Sequence, residues 1–140
     1  MDKFREIRPI VLGLLTRNNK LLVSEGYDEV KDQYFYRCLG GGIEFWERSD
    51  EALRREFQEE IGKDIIIKDF LGIAENIFTF NGKKGHELVL FYSIDIDDKD
   101  YQEEYIMDED GEEDRAVWID IDSFKKGEKI LYPERVFDYL

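Results

Sequence analysis

The sequence predicts an α/β protein built on a mixed sheet with one principal helix. Three observations carry this. β-Branched and aromatic residues dominate several runs between residues 7 and 121, and turn residues separate them. One long segment has helical spacing, with Leu53, Phe57 and Ile61 recurring every four residues. Strand and helix alternate irregularly with hairpins between them, so strands are expected to pair in both senses.

The elements follow in order. Ile7 to Thr16 and Lys20 to Glu25 are β-rich and joined by Arg17-Asn18-Asn19. Asparagine tolerates left-handed backbone, so this pair reads as a hairpin. Tyr27 to Gln33 is polar and reads as a loop. Tyr34 to Leu39 is a short aromatic strand stopped by Gly40-Gly41-Gly42, where the chain can bring its carbonyls close to a ligand. A helix is expected over about 49–61, with Ser49 as its N-cap. Asp50 and Glu51 suit its positive end, and Gly62 suits a left-handed C-cap. Ile65 to Phe80 and His86 to Ile96 make a long hairpin around the loop Asn81 to Gly85. Asp97 to Asp114 is strongly acidic and weakly periodic, and reads as a loop or frayed insert. Arg115 to Ile121 is a further strand and Asp122 to Lys126 a helical turn. Pro133 opens a final helix that reaches Tyr139.

The totals bound the function. A chain of 140 residues supports one domain, 1–140, with a real core. Its net charge of −14 disfavours nucleic acid polymers, which are bound largely through Lys and Arg. A small phosphate ester stays open to it if metal ions cancel charge locally. Cys38 is the only cysteine, so no internal disulfide forms and nothing suggests secretion. The apolar run Ile10 to Leu15 is too short to span a bilayer and lacks a cleavage site after it. A soluble cytoplasmic protein with no membrane partner is the expectation.

Glu56, Glu59 and Glu60 sit at i, i+3 and i+4 of the expected helix and so share one face. Two carboxylates ~4 Å apart repel by roughly 4 kcal/mol at an effective dielectric near 20. A cation, a proton or bulk water must relieve that. All-oxygen donors suit a hard divalent ion such as Mg²⁺. The plainer alternative is a solvated acidic face. On a helical wheel Glu60 lies nearest the apolar stripe and Glu59 farthest, so Glu60 is expected to be the most buried.

The stretch GGIEFWERSDEALRREFQEEIG, Gly41 to Gly62, resembles the Nudix box of the Nudix hydrolases. Gly41, Glu47, Arg55-Glu56, Phe57, Glu59-Glu60 and Gly62 stand at its spacing, and only Lys63 replaces a usual apolar residue. The resemblance implies an α/β/α sandwich with the motif helix packed on one side. It implies hydrolysis of a diphosphate (pyrophosphate) bond in a nucleoside diphosphate linked to another moiety. It further implies Mg²⁺ or Mn²⁺ held by Glu56, Glu59 and Glu60 with the carbonyl of Gly41, and an ion pair of Glu47 with Arg55 that braces the loop. The general base would be Glu56, or Glu112 or Glu113, which stand five or six residues ahead of Trp118 as in several members. Trp46 occupies a position where related boxes often carry Gly; between Glu44 and Glu47 it is expected on an exposed loop, stacking a base. His86 is a candidate for phosphate or ribose contact, with a structural role at a hairpin end the favoured reading. The partner would be a small nucleotide-type diphosphate, and a homodimer would be in keeping with the family. The rival reading is a non-catalytic Nudix-fold domain that binds a nucleotide or regulates.

Overall fold

The computed structural model describes residues 5–109 and 112–140, and the side chains of 5–107 and 114–140. Its organising strand is β1 (Ile7–Arg17), buried on both faces from Ile10 to Leu15. A strand covered on both sides reads as a continuous apolar run rather than an alternating one. Along Ile7 to Leu15, β1 runs parallel to β6 (Lys83–Asp95). At Thr16 and Arg17 it turns into an antiparallel pair with β2 (Lys20–Asp28). The mixed sheet expected from the sequence is therefore present.

β2 continues to β3 (Gln33–Cys38), and β4 (Gly40–Gly42) returns to lie against β1. After α1 (Ser49–Ile61), β5 (Ile66–Phe80) pairs with β6 and forms an outer edge of the sheet. Ile66, Phe70, Ile73 and Ile77 on that edge strand are all more than half exposed. The strand order is β5-β6-β1-β2-β3-β9, where β9 is Leu131–Tyr132. β7 (Glu104–Glu109) and β8 (Glu112–Asp120) attach through β8 to β2.

Two turns carry the hairpins. Asn18 and Asn19 have φ of 52° and 60° and bridge Arg17 to Lys20. Asn81 and Gly82 have φ of 51° and 77° and bridge Phe80 to Lys83. Two successive positive φ values match the twist of antiparallel strands. The second loop is thus two residues, not the expected Asn81 to Gly85, because Lys83, Lys84 and Gly85 continue the ladder.

The acidic segment is a larger correction. Asp97 to Asp114 was expected to be irregular, but it holds a short 3₁₀ turn at Asp98–Asp100 and the hairpin of β7 with β8. The cause is a sparse period of two: Tyr105 and Met107 are each 1% exposed and point into the core. The Tyr105 hydroxyl donates to the Asp100 carbonyl at 3.0 Å and accepts from the Gln102 N–H at 3.0 Å. Tyr27 to Gln33 also shrinks as a loop, since β2 runs on to Asp28 and β3 starts at Gln33. The buried Asp28 carboxylate accepts from the N–H groups of Val30 and Lys31 and closes the turn between them.

Two apolar clusters cover the faces of the sheet. One joins Val11, Leu15, Leu22 and Ile94 to Ala52, Leu53 and Phe57 of α1. The other joins Ile10, Leu12, Leu14 and Phe91 to Ile121 and Phe124 of α2 (Ile121–Lys125) and to Val136. Val136 lies in a closing 3₁₀ segment, Glu134–Tyr139, for which Pro133 is the N-cap rather than the first helical residue. The second layer is therefore thin. α1 itself begins one residue earlier than a Ser49 cap requires, because Arg48 holds the cap position and Ser49 is the first helical residue. The Ser49 hydroxyl is engaged instead with the Tyr92 hydroxyl at 2.7 Å. Gly62, at φ 68°, ends the helix as expected, its N–H bonded to the carbonyls of Phe57 and Gln58. Among the described residues no helix is long and apolar enough to cross a membrane.

Candidate active site

The site is built where β4 meets α1. β4 holds Gly41 opposite Val11 of β1. A side chain at Gly41 would put its Cβ 2.4 Å from Cδ of Glu56, so glycine is what lets the carboxyl of α1 lie directly on this backbone.

Arg55 ties the turn to the helix. Its Nε donates to Glu47 Oε2 at 2.7 Å and its Nη2 to Glu47 Oε1 at 2.9 Å, a two-point fork. Nη2 also donates to the Gly42 carbonyl at 2.9 Å. Nη1 donates to Glu56 Oε1 at 2.9 Å and to Glu59 Oε2 at 3.3 Å. Glu44 lies 3.9 Å from the same nitrogen. The four carboxylates surround one guanidinium, and its pKa rises accordingly, chiefly through the bond to Glu47.

Glu47 feels the reciprocal effect. The Arg55 hydrogen bonds, then the Glu44 backbone, hold its carboxyl down at about 2. The folded value lies below the ordinary 4.5, so the stability from this contact is complete above 4.5 and is lost as pH falls through about 2. A carboxyl-carbon NMR titration of Glu47 should show a midpoint near 2; one near 4.5 would mean that the brace does not form in solution.

The helical wheel is borne out: Glu60 is buried, Glu56 half-buried and Glu59 exposed. Among the described residues no three His, Cys, Asp or Glu side chains are gathered into a metal cage. Arg55 bonds Glu56 and Glu59, which is the position a cation between them would share. Lys63 lies past the helix cap and pairs with Asp100 at 4.0 Å.

A cavity of 280 Å³ opens beside this turn, lined by Gly40, Gly41, Gly42 and Glu60. A second cavity of 860 Å³ adjoins it, walled by Phe35, Phe78, Phe80 and Tyr132. Arg8, Phe35, Arg37 and Glu87 line both. Sequence reading overlooked Arg37 and Glu87. The available signal was Glu87 at an inward position of β6, in step with Val89 and Phe91.

Trp46 is 92% exposed, holds φ 72° and lines neither cavity. That left-handed backbone is the conformation glycine adopts without strain. His86 pairs with Ile7 and Ile77 within the sheet and also lines neither cavity. Glu112 and Glu113 open β8, and their side chains lie outside those described.

A glycine turn clamped by one arginine to an acidic helix, on a mixed sheet, defines the fold of a Nudix hydrolase. The chain belongs to the NUDIX domain family, whose model matches residues 6–139. Among solved structures it is similar to a NUDIX hydrolase from Nitrosomonas europaea, at 21% identity over 95% of this chain and 85% of that one, with a TM-score of 0.66. It is also similar to a MutT protein from Methanosarcina mazei, at 18% identity over 95% of this chain and 89% of that one, with a TM-score of 0.61. A UDP-X diphosphatase aligns at 17% identity over 84% of this chain and 52% of that one, with a TM-score of 0.57. No curated protein sequence matches the chain. The family fold implies hydrolysis of nucleoside diphosphate derivatives.

Proposed function

We propose that this chain is a Mg²⁺- or Mn²⁺-dependent pyrophosphohydrolase that cleaves the diphosphate bond of a nucleoside diphosphate linked to another moiety. One observation carries the reading: Arg55 clamps Glu47 and the Gly42 carbonyl while holding Glu56 and Glu59 beside the cavity that Glu60 lines. One fold neighbour is a UDP-X diphosphatase, an activity of this form.

The residues suit the metal. Three carboxylates and a backbone carbonyl are hard oxygen donors, and the cradle at Gly41 keeps Glu56 against the turn. Glu56, Glu59, Glu60 and the carbonyl of Gly41 would hold the ion. When bound there, it supplies neutralisation of phosphoryl oxygens and a more acidic water. Glu56 accepts the proton of the attacking water, with Glu112 and Glu113 as the alternative bases. Arg55 orients Glu56 through the 2.9 Å bond to its Oε1. Trp46 as a base contact and His86 as a phosphate or ribose contact would require the substrate to extend beyond the two cavities, which neither residue lines, and a structural role stays the favoured reading of His86.

Phosphate release from a panel of nucleoside diphosphate derivatives and triphosphates, with Mg²⁺ or Mn²⁺, tests this. Release from at least one derivative is expected. Tight nucleotide binding with no release from any member would favour the non-catalytic reading. Gly41→Ala should cut that turnover by about 10²-fold, since its Cβ displaces Glu56, while the melting temperature stays nearly constant.

A further inference from the structure

The throat between the two cavities carries an ion pair outside the site described above. Glu87 of β6 is 3% exposed, yet it lines both cavities. Its Oε1 accepts from Arg37 Nη2 at 2.6 Å and from Asn76 Nδ2 at 3.3 Å. Its Oε2 accepts no hydrogen bond from any described residue. Arg37 Nε is the single buried side-chain nitrogen or oxygen left without a partner among the described residues. Oε2 is absent from that sealed class, so it meets cavity space. Arg37 Nε is enclosed and out of reach from the cavity, but the Glu87 carboxylate keeps a lone pair open to a donor there.

We propose that Arg37 and Glu87 form a hydroxyl-recognition subsite for the sugar of the substrate. A hydroxyl donates once and accepts elsewhere, so it can give its proton to Oε2 of Glu87 and accept from an Nη N–H of Arg37, whose side chain is 30% exposed. A phosphate would accept only, and it would meet the Glu87 charge. A water-sized group satisfies the pair, but the flanking walls ask for more. Phe35 stands in contact with Phe80 and Tyr132, at ring separations of 5.9 and 5.6 Å, and forms one apolar side of the throat. Rings of this kind take the face of a sugar or a base. The larger cavity, 860 Å³, lies toward the upper end of the range for ligand pockets. With the sugar at the throat, the diphosphate reaches toward Gly41 and Glu60 and a ring system fills the aromatic cavity. This assignment rests on the hydrolase reading for its orientation but not for its chemistry.

Equilibrium binding without divalent metal separates the two. The probes are ADP, GDP, UDP and CDP with their 2′,3′-dideoxy counterparts, measured by calorimetry. Wild type should bind at least one ribonucleotide about tenfold or more tightly than its dideoxy form, as a hydrogen bond to a charged group provides. Glu87→Gln keeps the size and the Asn76 and Arg37 contacts but removes the carboxylate, and should bring that ratio below about threefold. Arg37→Lys, which keeps a cation beside Glu87, should reduce the ratio as well and covers the case in which Glu87→Gln does not fold. Equal binding of the ribo and dideoxy forms by wild type, a ratio unchanged in both variants, or no binding by any probe would overturn the assignment. A preserved ratio with no hydrolysis in the metal-supplemented panel would instead remove the hydrolase reading and leave the subsite standing.

Discussion

Glu56→Gln is expected to slow turnover of the best panel substrate by about 10²–10⁴-fold, the usual contribution of a positioned general base. Glutamine has nearly the same shape, so the contact with Gly41 and the hydrogen bond from Arg55 survive the change. What disappears is the ability to take a proton. Divalent-ion affinity, read by Mn²⁺ paramagnetic resonance, should change much less. Glu60→Gln should do the reverse in binding, weakening the ion strongly, because Glu60 is the buried member of the trio and lines the cavity. Glu112→Gln and Glu113→Gln complete the comparison. If either slows turnover more than Glu56→Gln while metal affinity holds, the base belongs to β8 and Glu56 is a ligand only.

Arg55→Ala should lower the melting temperature by about 10 °C, from a loss of about 3 kcal/mol. The reason is the company Arg55 keeps. Removing it leaves Glu44, Glu47, Glu56 and Glu59 facing one another with no cation between them. It also strips the Gly42 carbonyl of its donor. Arg48→Ala is the control. Arg48 is 81% exposed and among the described residues its side chain pairs only with Asp50, so its removal should cost no more than about 0.5 kcal/mol. Arg55→Lys should recover only part of the loss, since a point charge cannot fork across both oxygens of Glu47. Added Mn²⁺ should raise the melting temperature of Arg55→Ala more than that of wild type, because the bared carboxylates then have a cation to share. Equal melting temperatures for Arg48→Ala and Arg55→Ala would show that the clamp contributes no more than an ordinary surface pair.

How much of this was legible depended on whether the signal was local. α1 announced itself through Leu53, Phe57 and Ile61, and its end through Gly62. The burial order of the three glutamates followed from the same periodicity. Glu47 and Arg55 were paired through resemblance, and the structure joins them by two hydrogen bonds. The β7–β8 hairpin was missed because only Tyr105 and Met107 mark its buried face amid acidic neighbours. The Ser49 cap failed for another reason: its hydroxyl met Tyr92, 43 positions away, which local chemistry does not disclose. Arg37 and Glu87 are 50 positions apart, so their union became visible only once β3 and β6 were placed.

β5 leaves its Ile66, Phe70, Ile73 and Ile77 side chains in water along an open sheet edge, a geometry that invites another strand to add itself. What stands against that is the excess of 14 negative charges carried by every copy. Such mutual repulsion reaches only about 10 Å in 0.1 M salt and about 3 Å in 1 M. The colloidal behaviour of this protein is therefore set by ionic strength: dilute buffer keeps neighbouring molecules apart, and concentrated salt lets their greasy margins meet.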